Sequence, residues 1–114
     1  MKLRPLFVAI GWAFVATIIW LSVTPHPIDL GVEQGDKLGH LAAYGGTMWW
    51  FCQLYRAPRT RLFYAIGLVG LGVGLEYVQR ALGYRTFEIA DMIADALGVL
   101  LGWAVALAMP RLLK

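Results

Sequence analysis

The sequence predicts an all-α fold: a polytopic membrane protein built as a four-transmembrane-helix bundle, with residues 1–114 forming a single domain. The chain has 114 residues, of which 60% are hydrophobic and 15% are charged, and this composition is too apolar for a water-soluble domain of that length. Four apolar runs of roughly 18 to 21 residues follow one another, close to the ~20 residues that a helix needs to cross a ~30 Å hydrocarbon core. Charges of opposite sign collect in alternate connections between the runs, which is typical of a chain that crosses a membrane repeatedly.

The first run, residues 6–23, has no charged residue and follows Lys2 and Arg4. It ends before Pro25, because proline cannot donate to the helical hydrogen-bond ladder. The run is longer than the apolar core of a signal peptide, and no pair of small residues marks a cleavage site before Pro25. We therefore predict a retained membrane anchor.

The other three helices are predicted at residues 38–55, 62–82 and 89–109. Asp36 stands where a helix N-cap is expected, immediately before the second run. A basic turn separates the second run from the third, and a proline with a basic tail follows the fourth. The connections are too short to contain a further domain.

The distribution of charge predicts the orientation. Seven of the ten basic residues lie at the two termini and between the second and third runs: Lys2, Arg4, Arg56, Arg59, Arg61, Arg111 and Lys114. The seven acidic residues lie on or toward the other side: Asp29, Glu33, Asp36, Glu76, Glu88, Asp91 and Asp95. Because basic connections remain in the cytoplasm, both termini are predicted to be cytoplasmic (N-in, C-in), and the net charge of +3 follows from this topology.

Ionisable residues inside the apolar runs are the candidate functional residues. Asp91 and Asp95 are one turn apart on one face of the fourth helix, where each carboxylate costs roughly 2.5–3.5 kcal/mol at membrane depth. His40 on the second helix and Glu76 on the third are expected at a similar depth, given the rise per residue. We therefore predict an outward-facing polar pocket shared by three helices.

Three separated segments resemble the VanZ-like family of small bacterial membrane proteins: DKLGHLAAY at residues 36–44, Glu76 with Gln79, and Arg85 followed by DMIADALG at residues 91–98. The resemblance extends from about residue 36 to residue 102. It implies a multi-pass protein of the bacterial inner (cytoplasmic) membrane, in a family whose namesake is linked to resistance to the glycopeptide teicoplanin. The family commonly has asparagine where this chain has Asp95. Many members have no connection with resistance, so resistance is not predicted for this chain.

The pocket offers two kinds of chemistry. An imidazole held by a carboxylate becomes a better base, so the predicted catalytic residues are His40, Glu76, Asp91 and Asp95. The predicted substrate-binding residues are Lys37, Tyr44, Gln79, Arg80 and Arg85, whose cations would hold a phosphate. Such a pocket would bind a membrane lipid or lipid-linked cell-envelope precursor, with or without modifying it. In the alternative, the charges neutralise one another and only fix the helix packing of a structural or regulatory module.

Other partners and cofactors have weaker support. The acids and His40 are acceptable metal ligands, but no paired-histidine motif or cysteine cluster accompanies them, so we predict neither a metal ion nor another cofactor. No basic, aromatic face indicates nucleic-acid binding. Gly70 with Gly74 and Gly98 with Gly102 have the spacing of close helix contacts, inside the bundle or between copies in a homo-oligomer.

Overall fold

The computed structural model describes residues 3–23, 35–82 and 89–109. These residues form four α-helices, which confirms the all-α prediction: α1 at Arg4–Val23, α2 at Gly35–Leu54, α3 at Pro58–Leu82 and α4 at Ile89–Ala108. Each helix coincides with one of the predicted apolar runs, and the C-terminal ends agree to within one residue. Hydropathy therefore located every helix.

The N-terminal ends of the first three helices begin earlier than predicted. The helix α2 begins at Gly35, so Asp36 is a helical residue and not the N-cap that the sequence predicted. The helix α3 begins at Pro58, whose missing N–H costs nothing in the first turn. The cause is the same in each case, because hydropathy marks the apolar part of a helix and the first hydrogen-bonded turn here is polar.

Contacts between helix ends show an up-and-down arrangement. At one end, Arg4 Nη2 donates to Leu54 O at 2.6 Å, joining the start of α1 to the end of α2. At the other end, Gln79 Nε2 donates to Ser22 O at 2.8 Å, joining the ends of α1 and α3. Thus α1 and α3 run in one direction and α2 runs in the opposite direction.

The helices α2 and α4 run parallel and make the most extensive contact in the bundle. A Cβ added at Gly45 would lie 2.9 Å from Gly98 O, and one added at Gly102 would collide with Gly45 O. Gly98 itself lies against Leu41 O. The predicted role of Gly98 and Gly102 in close helix packing is therefore met inside the bundle.

Among the described helices, α1, α3 and α4 are each long and apolar enough to cross a membrane. Their outward surfaces carry large exposed hydrophobic side chains, such as Phe63, Ile66 and Leu107. The helix α2 has a similar length but is not among them, because charged and polar residues such as Lys37, His40 and Gln53 lower its hydropathy. The bundle is therefore of the membrane type.

Two arginines cap the C-terminal end of α2. Arg61 donates to Cys52 O at 2.7 Å and to Tyr55 O at 2.8 Å, while Arg4 lies over the Tyr55 ring at 5.3 Å from its centroid. The last carbonyl groups of a helix have no partner within it, so these bonds satisfy groups that would otherwise need water. We call this end of the bundle, with its exposed Arg56 and Arg59, the basic end.

Candidate functional site

The site is organised around Asp95, which is buried on α4 and pairs with His40 on α2. The His40 Nδ1 to Asp95 Oδ1 distance is 2.6 Å, and the side chains are 17% and 2% exposed, respectively. When Asp95 is ionised it can only accept, so the imidazole donates from Nδ1 and Nε2 is left as its basic nitrogen. The structure thus pairs two of the four predicted catalytic residues.

Glycine in α3 makes room for the Asp95 carboxylate. A Cβ added at Gly72 would collide with Asp95 Oδ2 and would lie 3.0 Å from the Asp95 Cβ and Cγ atoms. Three helices therefore meet at one carboxylate: α4 carries it, α2 contributes His40, and α3 contributes a bare stretch of backbone. The close approach of α2 and α4 at Gly98 lies one turn further along α4.

The other predicted catalytic residues, Glu76 and Asp91, are also buried, and both act electrostatically on His40 together with Asp95. Tyr44 is buried one turn after His40, with its ring parallel to the imidazole at an interplanar angle of 2° and a centroid distance of 6.3 Å. These five residues, His40, Tyr44, Glu76, Asp91 and Asp95, are called the polar cluster below. It is strongly acidic and surrounded by apolar helices.

The remaining predicted binding residues have different positions. Gln79 is buried, and its amide nitrogen donates to Ser22 O, so it holds α1 against α3. Arg80 is exposed near the end of α3. Lys37 lies in the first turn of α2, but its side chain is outside the described part of the structure, and Arg85 lies outside the described residues altogether. Their roles in binding stay predictions.

Asp95 has further hydrogen-bonding capacity. Its second oxygen, Oδ2, is buried and has no hydrogen-bond partner among the described residues. A buried carboxylate oxygen without a partner is costly, so this position favours a hydrogen-bond donor. Within residues 3–23, 35–82 and 89–109, no three histidine, cysteine or acidic side chains are grouped as a metal site would require.

Sequence patterns missed two residues that position the site. Gly72 is one of several glycines in α3, and spacing along a helix does not show which of them faces a carboxylate on another helix. Ser22 contributes only its backbone carbonyl, which no residue-type pattern can identify. Both contacts depend on how the helices pack against each other.

Comparison with known proteins places this chain in a family. The VanZ/LLP1 family model matches residues 2–111. An uncharacterized protein of Schizosaccharomyces pombe is 31% identical over 88 residues, which cover 75% of this chain and 54% of that relative. The chain thus spans about half the length of this relative. No solved structure matches the chain.

Proposed function

The chain belongs to the VanZ/LLP1 family, and from that premise we propose that it binds the polar head group of an amphiphilic, lipid-linked cell-envelope molecule at the polar cluster. The hydrocarbon part of the molecule stays in the bilayer. Modification of the head group by acid–base chemistry is a further step that the same residues are suited to perform. Binding comes first in this proposal because it needs only the observed groups.

The His40–Asp95 pair is the observation that supports the proposal most directly. The 2.6 Å bond fixes the imidazole by one nitrogen, and the unequal exposure of the two side chains places the carboxylate inside and the imidazole edge toward the surface. A histidine oriented in this way presents Nε2 as an acceptor or general base. The 17% exposure of the His40 side chain leaves part of the ring accessible to a ligand.

The charge of the cluster indicates the kind of head group. Three buried carboxylates on α3 and α4 repel a bare anion and accept hydrogen bonds from hydroxyl or amine groups. Asp95 Oδ2 offers one such acceptor. A sugar-bearing head group supplies these donors, and a phosphate attached to it would be held by Lys37 and Arg85, the cations that the sequence predicts for phosphate binding.

The proposed orientation places the cluster on the outer side of the membrane. The exposed arginines of the basic end, Arg56 and Arg59, favour the cytoplasm. His40 is near the opposite end of the bundle, about 8 Å along α2 from its first residue at 1.5 Å per residue. We propose that α2 also crosses the membrane, which gives the chain four spans and puts both termini in the cytoplasm. The membrane proposed is the inner membrane of a bacterial cell.

A structural role is the second candidate, and one observation favours it. Asp95 touches the backbone of α3 at Gly72 while it bonds His40 of α2, so the carboxylate fixes the packing of three helices by itself. A buried ion pair that serves this purpose sets helix register at little net gain in stability. In that case no lipid would be selected.

Native mass spectrometry of the protein, extracted gently from its own membrane, separates the two candidates. We expect a glycosylated or phosphorylated lipid on the wild type and its loss in Asp95→Asn, which keeps the shape of the side chain and removes its charge. His40→Ala is expected to lose the same lipid. The matched control is Arg59→Gln, which changes one exposed charge at the basic end and should retain the lipid.

The outcomes differ for the two roles. Retention of the lipid by wild type and Arg59→Gln, with loss from both cluster variants, supports lipid binding. If all four proteins are folded and carry the same unselected lipids, the polar cluster is scaffolding and the binding proposal is wrong. Circular dichroism and size-exclusion chromatography of each variant establish that it is folded.

A further inference from the structure

A groove of about 600 Å³ runs between α1 and α2 and is open along one side. Residues of both helices line it, among them Phe14, Thr17, Leu21, Ala43, Gly46 and Trp50. We infer that this groove holds one hydrocarbon chain of the amphiphile whose head group is bound at the polar cluster. The inference rests on the proposed function and adds where the hydrocarbon chain of the bound molecule lies.

The shape of the groove comes from small residues on α2. A Cβ added at Gly46 would meet nothing within 4 Å, so the backbone of α2 is bare at this position. Ala43 adds only a methyl group beside it. The volume is within the range of roughly 300–1,000 Å³ that is typical of ligand sites.

Trp50 marks the inner end of the groove and is held in place. Its Nε1 donates to Phe7 O at 2.8 Å, and its ring meets Phe14 edge-on at a centroid distance of 5.6 Å. From Ala42 to Trp50, α2 rises about 12 Å at 1.5 Å per residue. The groove therefore has a fixed inner end, a defined length and an open side.

The lining suits a hydrocarbon chain and no polar ligand. Apart from two threonines, the lining side chains are apolar. The Thr17 hydroxyl donates to Ala13 O in its own helix at 2.8 Å, and Thr47 is buried. Since a satisfied hydroxyl gains little from a ligand, burial of apolar surface is the interaction that this groove offers.

The position of the groove connects it to the polar cluster. Ala43, which lines the groove, is three residues after His40, and residues with this spacing are neighbours on a helix surface. The groove extends from there toward the basic end, which is the direction of the membrane interior in the proposed orientation. A head group at the His40 imidazole thus has a path for its chain one turn away.

Filling the groove tests this inference. Gly46→Phe places a ring in the open space at α2. Gly70→Phe is its matched control, since Gly70 on α3 is equally open and does not line the groove. Each protein is reconstituted in phosphatidylcholine vesicles that contain a polar lipid extract of its own membrane. It is then extracted gently, and the bound lipids are quantified by mass spectrometry.

We expect Gly46→Phe to retain about tenfold less of the lipid that the wild type selects, the loss that roughly two unburied methylene groups would cause. Gly70→Phe should match the wild type. Ala42→Phe, at a second position in the groove, should reproduce the loss. The conclusion then does not depend on the folding of a single variant.

Two results would overturn the inference. If Gly46→Phe and Ala42→Phe retain the selected lipid while Asp95→Asn loses it, the head-group site stands and the groove holds annular lipid only. If the Gly46→Phe and Gly70→Phe proteins lose it equally, the effect is not specific to the groove. Failure of the proposed function has a different signature, because Asp95→Asn would then retain whatever the wild type retains.

Discussion

Asp95 has two oxygen atoms in different surroundings, and this difference underlies the proposed chemistry. Oδ1 accepts from His40, whereas Oδ2 is buried against the backbone at Gly72 with no hydrogen-bond partner in the described part of the chain. One oxygen fixes the imidazole, and the other retains unused hydrogen-bonding capacity inside the bundle. A carboxylate in this position can thus contribute to packing and to binding at once.

At this scale the sequence predicted which ionisable residues of the three helices lie near one another but not how they are paired. The i, i+4 spacing of Asp91 and Asp95 gave a shared face, and rise per residue gave a shared depth with His40 and Glu76. Neither quantity tells which carboxylate meets the imidazole. That choice depends on how the helices are rotated about their axes, which is set by glycines such as Gly72 on a neighbouring helix.

The pairing of His40 with Asp95 predicts a coupled effect on stability. His40→Ala leaves a buried carboxylate without its partner and should lower the free energy of unfolding by about 2–3 kcal/mol. This loss is smaller than that of a fully buried pair, because His40 is partly exposed. Adding Asp95→Asn should recover most of this loss. The measurement is a double-mutant cycle by reversible unfolding in mixed micelles, and additivity of the two losses within roughly 0.5 kcal/mol would contradict the pairing.

The parallel contact of α2 and α4 is the main feature at the scale of the helices. Gly45, Gly98 and Gly102 bring the two backbones nearly into contact, and His40 and Asp95 are paired just beside them. The GxxxG spacing in α4 predicted a close contact without naming its partner. Gly70 and Gly74 have the same spacing but are open, so their role in an oligomer stays a prediction.

The α2–α4 contact can be tested with a matched pair of glycines. Gly98→Leu places a side chain against Leu41 O and should destabilise the bundle by about 1–3 kcal/mol, as overpacking does. Gly74→Leu, on the open face of α3, should change stability by no more than about 0.5 kcal/mol. Thermal unfolding in detergent measures both, and equal losses would mean that the contact between α2 and α4 is not decisive.

The cap on α2 was not predicted from the sequence, since the arginines of the basic end were interpreted only as markers of orientation. Arg61→Ala removes charged donors from two terminal carbonyl groups and should cost about 1–2 kcal/mol, allowing for partial exposure. Arg59→Ala removes an exposed charge nearby and should cost less than about 0.5 kcal/mol. Both variants are measured by unfolding in detergent. If Arg59→Ala lowers the free energy of unfolding as much as Arg61→Ala does, the effect comes from charge and not from capping.

For the whole molecule, the distribution of charge and the direction of the helices agree. Contacts at both ends of the bundle make α1 antiparallel to α2 and parallel to α3, so the basic end collects the arginines of separate helices. The overall fold could be predicted because hydropathy and charge are properties of whole segments. The α1–α2 groove could not, because it depends on small residues of one helix lying opposite particular side chains of another.

Single introduced cysteines test the proposed topology. Arg59→Cys at the basic end should react with a membrane-impermeant maleimide only after cells are opened, whereas Ala81→Cys near the end of α3 should react in intact cells. The native Cys52 is buried and should stay unlabelled in both variants. Labelling of both sites in intact cells would contradict the proposed orientation.

The nitrogen-15 NMR spectrum of the His40 side chain gives the most direct test of head-group binding at the His40–Asp95 pair. The chain has only two histidines, so a His26→Gln variant assigns the signals. Spectra are compared in nanodiscs of phosphatidylcholine alone and in nanodiscs that also contain a polar lipid extract of the protein's own membrane. We predict that the extract shifts the Nε2 signal and leaves the Asp95-bound Nδ1 signal nearly unchanged, whereas identical spectra in the two membranes would contradict binding at this pair.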